Sequence, residues 1–128
     1  QATPFEHRSF GEELALCQRY FYRWETDGSA NSNLCIGGAI NTTRARGVAQ
    51  MPQTMRSNAS LTSSGTFRIV SMGSGNVGTS ITVSLSRGHT LQPYVQFEAS
   101  GGSALTAGQA CEMGGNATDA VVNFDAEL

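Results

Sequence analysis

Alternation dominates the chain. From Thr79 to Ser86, Ile81, Val83 and Leu85 hold one parity and Ser80, Thr82, Ser84 and Ser86 the other, the period of a half-buried strand. Leu91 to Glu98 repeats the device, with Leu91, Pro93, Val95 and Phe97 set against Gln92, Tyr94, Gln96 and Glu98, and the early proline fits a strand start or a sheet edge. At the end, Ala120, Val122, Phe124 and Ala126 alternate with Val121, Asn123, Asp125 and Glu127, so the chain is expected to close on a strand and leave no tail. Thr66 to Met72 places Phe67 and Ile69 on one face and Arg68 and Val70 on the other. Leu34 to Ile40 is apolar through two adjacent glycines, the pattern of a buried strand that another backbone approaches closely. Gly47 to Pro52 reads as a strand that Pro52 ends or confines to a sheet edge, and shorter strands are expected at Ala59 to Thr62 and Gln109 to Met113. Turns are expected at Thr26 to Asn33, which contains Asp27-Gly28, and at Asn41 to Gly47, Ser100 to Ser103 and Gly114 to Asn116; Gly73 to Gly78 reads as a flexible loop.

Only the front of the chain breaks this period. Ser9 is a helix N-cap with Glu12 three residues on, a capping box in which each side chain satisfies a backbone donor of the other. Phe10, Leu14, Cys17 and Phe21 then recur at helical spacing, one face of a short helix. From Tyr20 the period becomes two: Tyr20, Tyr22 and Trp24 alternate with Phe21, Arg23 and Glu25. A short capped helix therefore feeds an aromatic strand.

Short strands separated by Gly/Ser/Asn turns, with one helix in front, predict an all-β fold: an antiparallel β-sandwich, jelly-roll-like, with one short N-terminal helix. The strand spacing is irregular, against a propeller or β-helix. At 128 residues the chain is a single module, residues 1–128, with residues 1–25 forming the capped helix and first strand. Its beginning at Gln1 rather than Met points to a processed product or a domain of a longer chain.

Composition narrows function mainly by exclusion. Charged residues are only 14 % and the net charge is -2, with arginines scattered, so the electrostatic footprint of a nucleic-acid binder is missing. No apolar run is long enough for a membrane helix, and membrane insertion is not expected. Cys17, Cys35 and Cys111 lack metal or redox spacing; buried free thiols are the plainer reading and a Cys17–Cys35 bridge the sharper one.

Candidate chemistry is sparse. His7 and His89 have no ligand-spaced or nucleophile partner, and G-x-S-x-G is missing. Glu12, Glu13, Glu25, Asp27, Glu98, Glu112, Asp119, Asp125 and Glu127 could supply a carboxylate pair, which sequence cannot place; Glu12 and Glu13 are explained by the helix dipole. Asp27, Ser29, Asn31 and Asn33 alternate as oxygen ligands do in calcium loops, without the glycine and closing glutamate of that motif. No metal and no cofactor is expected. Gly73 to Gly78 lacks a Walker lysine. Asn41, Asn58 and Asn116 stand in N-x-S/T triplets and serve here as loop markers. Tyr20, Tyr22 and Trp24 read as core or subunit interface ahead of a stacking platform.

One resemblance adds to this. Ala2 to Phe21, ATPFEHRSFGEELALCQRYF, resembles a segment of C-terminal modules in tail-fibre and other minor structural proteins of tailed bacteriophages, cyanophages included. It extends more weakly through Met55-Arg56 and Ser64-Gly65-Thr66-Phe67 to the closing Phe124-Asp125-Ala126-Glu127-Leu128, and makes Gln1 look like a module boundary. The resemblance implies a non-enzymatic virion component: a fibre-tip or appendage module, homotrimeric, among other virion proteins, binding a host-surface glycan or protein receptor. A capsid-decorating or fibre-capping role without external ligand is the alternative, and a polysaccharide-degrading enzyme a distant third. Glu12, Glu13, Leu14, Cys17, Arg19 and Tyr20 carry over as scaffold, with Arg19 expected to pair with a carboxylate. The chain departs from the family pattern in its loops, which makes Asp27, Ser29, Asn31, Asn33 and Asn76 the ligand-binding candidates.

Overall fold

The computed structural model describes residues 9–29, 31–73, 75, 76, 78, 80–87 and 94–126, with only the backbone of Asn76 and Arg87. Expectations for Gln1, Pro4, Phe5, His7, His89, Leu91, Gln92, Pro93, Glu127 and Leu128 lie outside the described residues.

Helix α1 runs Phe10–Gln18. The capping box forms as the sequence requires: Glu12 N–H donates to Ser9 Oγ at 3.3 Å and Ser9 N–H donates to Glu12 Oε2 at 2.9 Å. The strands are β1 (Phe21–Glu25), β2 (Asn33–Ala39), β3 (Arg44–Gln50), β4 (Ser60–Ser64), β5 (Phe67–Ser71), β6 (Gly75–Asn76), β7 (Thr82–Arg87), β8 (Tyr94–Ser100), β9 (Ala110–Gly115) and β10 (Val121–Asp125). They form a three-stranded sheet ordered β1-β10-β4 and a seven-stranded sheet ordered β6-β5-β9-β2-β3-β8-β7. Every pairing is antiparallel. The fold is the all-β sandwich that the alternation predicts.

The core lies between the two sheets. Val122 and Phe124 on β10, flanked by Ala120 and Ala126, are fully buried, and Tyr22, Trp24 and Leu61 pack beside them from the neighbouring strands. The Tyr22 ring stacks on Phe124 with centroids 6.1 Å apart. Facing them, the large sheet contributes Phe67, Ile69, Val83, Val95, Phe97, Cys111 and Met113. The middle of that sheet is lined by small residues: Gly37 pairs Gly47, and Ala39 pairs Ala45. A side chain on Gly37 would meet the backbone of Arg46 and Gly47, and one on Gly47 would lie 2.7 Å from both the Ile36 carbonyl oxygen and the Met113 methyl. The two adjacent glycines of Leu34 to Ile40 do mark a close approach, made by β3 at Gly37.

Several expectations need correction. Asn41 to Gly47 is not a turn throughout: the turn closes at Thr43, where Asn41 Oδ1 accepts from the N–H groups of Thr43 and Arg44 at 2.9 Å, and Arg44 to Gly47 belong to β3. Small residues on its inner side hide the alternation of Arg44, Arg46, Val48 and Gln50. Gly114 and Gly115 pair within β9 rather than turning, because Gly114 lies against Ser32 and Asn33 with no room for a side chain. Within Gly73 to Gly78, Gly75 and Asn76 add a two-residue strand to β5. Arg68, on the face opposite Phe67 and Ile69, is nonetheless buried. The helix forms as expected, but no residue of α1 is buried, and Phe10, Leu14 and Cys17 on its one face are exposed.

Filling the Gly47 space should be costly, because inserting methyl groups into a packed core costs about 1–3 kcal/mol. Gly47→Ala is expected to lower unfolding stability in urea by that amount. Gly11→Ala, at a helical glycine with nothing within 4 Å of the added carbon, is expected to raise it by about 0.5 kcal/mol.

Candidate functional site

Antiparallel pairing sets the outward residues of β2, β3, β8 and β9 in rows. Ile36 lies between Val48 and Glu112, Val48 pairs Gln96, and Gln50 pairs Tyr94. One step along, Gly38 stands between Ala110 and Arg46, and Arg46 pairs Glu98. The inward parity of β3 and β8 carries Ala45, Gly47, Ala49, Val95, Phe97 and Ala99, so burial of that set forces the other set into the open. Ile36, Val48 and Tyr94 are exposed to 64, 52 and 44 %. That is an unusual amount of apolar surface for one stretch of sheet.

Polar groups frame it. Glu98 accepts from Arg46 Nη2 at 2.9 Å and from Arg44 Nη1 at 3.3 Å, so one carboxylate holds two guanidinium groups against the sheet. The Glu98 side chain keeps only 14 % exposure, whereas Arg44 and Arg46 keep 45 and 34 %. The pairs add little stability at such exposure, but they fix guanidinium planes at the border of the apolar patch. Gly38 leaves a floor without side chain between Arg46 and Ala110. Beyond Gln50 the surface dips into a depression of about 300 Å³ lined by Tyr22, Gln50, Met51 and Pro52. The amide oxygen of Gln96 is buried with no hydrogen-bond donor among the described residues.

The loop candidates are organised differently. Asp27 Oδ1 accepts from Ser32 Oγ at 2.7 Å and from Ser29 N–H at 3.0 Å, which holds its carboxyl below the usual range, the Ser32 bond being the larger cause. The Ser29 hydroxyl accepts from Asn31 N–H at 3.4 Å. Arg68 reaches under this loop and donates to Asn33 Oδ1 at 2.8 Å, to the Asn31 carbonyl at 3.2 Å and to the Gly115 carbonyl at 3.1 Å. Oxygens of Asp27, Ser29, Asn31 and Asn33 are thus engaged within the loop and with Arg68. The structure brings these four together at one end of the sandwich, and the side chain of Asn76 lies outside the described residues. Among the described residues no three His, Cys, Asp or Glu side chains converge as a metal site would need.

The aromatic strand divides as its alternation requires. That holds for Tyr22 and Trp24, which pack on the core; Tyr20, expected on the same face, lies before β1 begins at Phe21 and is exposed at 40 % with the Arg56 guanidinium 5.2 Å from its ring centre. Arg19 has no ion pair among the described residues; its carbonyl accepts from Arg56 N–H at 2.8 Å. All three thiols are free, so the Cys17–Cys35 bridge is not formed; Cys35 and Cys111 are buried, and Cys17 is exposed rather than buried. Burial pushes the Cys35 thiol up to about 12 and raises that of Cys111.

Sequence reasoning passed over the sheet face. The alternation of Tyr94, Gln96 and Glu98 was its available signal, but the face also needs β3, whose first half reads as a turn. No protein-family model, no curated protein and no solved structure matches the chain.

Two measurements test this geometry. In an NMR pH titration the Asp27 carboxyl is expected to titrate below an ordinary aspartate, and Ser32→Ala to move its midpoint upward. Because the folded value is depressed, the stability Asp27 contributes is present above the ordinary aspartate value of about 3.9 and is lost as pH falls through the lowered midpoint. For the thiols, Cys35 and Cys111 are expected to resist alkylation at pH 8 in the folded chain and to react fully in denaturant, read by intact mass.

Proposed function

We propose that the chain is a virion module of a tailed bacteriophage, placed at a fibre tip or appendage, that binds a host-surface glycan on the exposed face of β2, β3 and β8. The observation that carries the ligand reading is that face: the Tyr94 ring beside the Gln50 amide, the Ile36–Val48 pair, and the Arg46–Glu98 pair around the bare backbone of Gly38. Sugars present flat C–H faces edged by hydroxyls. An aromatic ring takes the face, and planar amide, guanidinium and carboxylate groups take neighbouring hydroxyls in pairs. The virion placement rests on the resemblance of Ala2 to Phe21 to phage fibre modules. The same resemblance has the module acting as an assembly of copies, threefold in that family. Asp27, Ser29, Asn31 and Asn33 spend their oxygens on one another and on Arg68 and are not part of this contact.

A structural reading, a decorating or capping module with no outside ligand, is favoured by one different observation: the uncovered apolar side of α1. The two readings separate on binding. The purified chain is expected to bind a subset of host-surface polysaccharides on a glycan array. Tyr94→Ala should weaken that binding about tenfold, the size of a lost stacking contact, while Asp27→Ala leaves it within about twofold. Absence of any signal from the folded chain would replace the binding reading with the structural one.

A further inference from the structure

We propose that the ligand of the large sheet's outer face is an acidic polysaccharide whose sugar rings carry carboxylates, laid along β3 with one carboxylate seated on Arg44 and Arg46. The inference rests on the reading of this face as a glycan site and adds the charge of the ligand and its direction. Strand β3 sets Arg44, Arg46, Val48 and Gln50 outward in one line. The six residue steps from Arg44 to Gln50 extend roughly 20 Å at about 3.3 Å each, longer than a single sugar ring, so a chain of rings is the shape that covers them. Tyr94 beside Gln50 and Ile36 beside Val48 make one half of the line aromatic and apolar. Arg44 and Arg46 make the other half cationic.

Glu98 does not cancel the arginines. Two guanidinium groups meet one carboxylate, which leaves a surplus of one positive charge. Glu98 Oε1 accepts from Arg44 Nη1 at 3.3 Å, and Oε2 accepts from Arg46 Nε at 3.3 Å and Nη2 at 2.9 Å. Neither arginine side chain has a second partner among the described residues, so most of the donors on both forks remain uncommitted. With Glu98 exposed to 14 % and the arginines to 45 and 34 %, a ligand meets N–H donors here and little of the carboxylate. Donors with surplus positive charge favour an acceptor that is itself charged, and planar forks pair with planar carboxylates in bidentate fashion. The apolar half adds a second requirement. The charge must sit on a ring with a C–H face to lie on Tyr94, which a uronic acid provides and a phosphate-linked polyol does not. Glu112, next to Ile36 on β9, is the other carboxylate of this face among the described residues. It stands two strands from β3, about 10 Å away at the usual strand spacing, so it opposes a polyanion laid across the strands more than one laid along β3.

The test pairs each acidic probe with a neutral twin. Oligomers of galacturonate, glucuronate and mannuronate, and the same oligomers with their carboxylates reduced to primary alcohols, are titrated into the whole chain by calorimetry. At least one acidic oligomer is expected to bind about tenfold or more tightly than its reduced twin, with the preference shrinking as salt is raised. Arg44→Gln should weaken the acidic oligomer about tenfold and leave the reduced twin within about twofold, whereas Tyr94→Ala should weaken both alike. An unchanged urea midpoint shows that the Arg44 variant is folded. Equal binding of acidic and reduced oligomers, an Arg44→Gln loss of the same size for both, or binding confined to neutral or phosphate-bearing glycans overturns the inference and leaves the sheet-face site standing. No binding of any glycan by the folded chain overturns the site and this inference together.

Discussion

Gly37 and Gly47 face each other across β2 and β3, and the sandwich depends on the space they leave. With no side chain at either position the two backbones close up, and the methyl of Met113 reaches the place a Gly47 side chain would take. Alanines at 39, 45, 49 and 99 extend this low-relief lining across the inner face. A thin lining lets the bulky side chains of the small sheet, Phe124 and Val122 with Tyr22 and Trp24 beside them, fill the gap from the other side. The core is therefore asymmetric: one wall supplies much of the bulk and the middle of the other supplies room. Period-two geometry then gives the outer side of β2 and β3 its larger residues, which is how a packing constraint inside becomes a presenting surface outside.

The strands were legible where the inner parity was large. Ile81, Val83, Val95, Phe97, Val122 and Phe124 announce themselves against Ser, Thr, Gln and Asn, and all six lie inward. Legibility failed where the inner parity was small. In β3 the inward residues are Ala45, Gly47 and Ala49, and hydropathy cannot distinguish Arg-Ala-Arg-Gly in a strand from the same residues in a turn. The candidate face was hidden for the same reason, since half of it stands on β3. The burial of Arg68 was not legible because it comes from the loop at Asn31 to Asn33 folding over it, a contact with no local trace. For α1 the cap was fully readable, Ser9 and Glu12 being sufficient, whereas the spacing of Phe10, Leu14 and Cys17 marks a shared face and carries no signal of how exposed that face is.

Two surfaces with different chemistry emerge on this small domain. The outer side of the large sheet mixes a ring, amides and ion-paired arginines over a nearly flat floor, and little in it depends on loop conformation. The loop at Asp27 to Asn33 spends its oxygens on Arg68 and on itself. The helix presents aliphatic and aromatic side chains with charge only at its ends.

The junction between α1 and β1 also has a mechanical meaning. The backbone of Arg19 and Tyr20 is held by Arg56 N–H at 2.8 Å and by Ala126 N–H at 2.7 Å, immediately before β1 begins its ladder with β10 at Phe21 and Asp125. Tension entering along the helix meets these two anchors before it reaches any strand of the small sheet. It then passes into β10, the middle strand of that sheet, whose side chains are seated in the core.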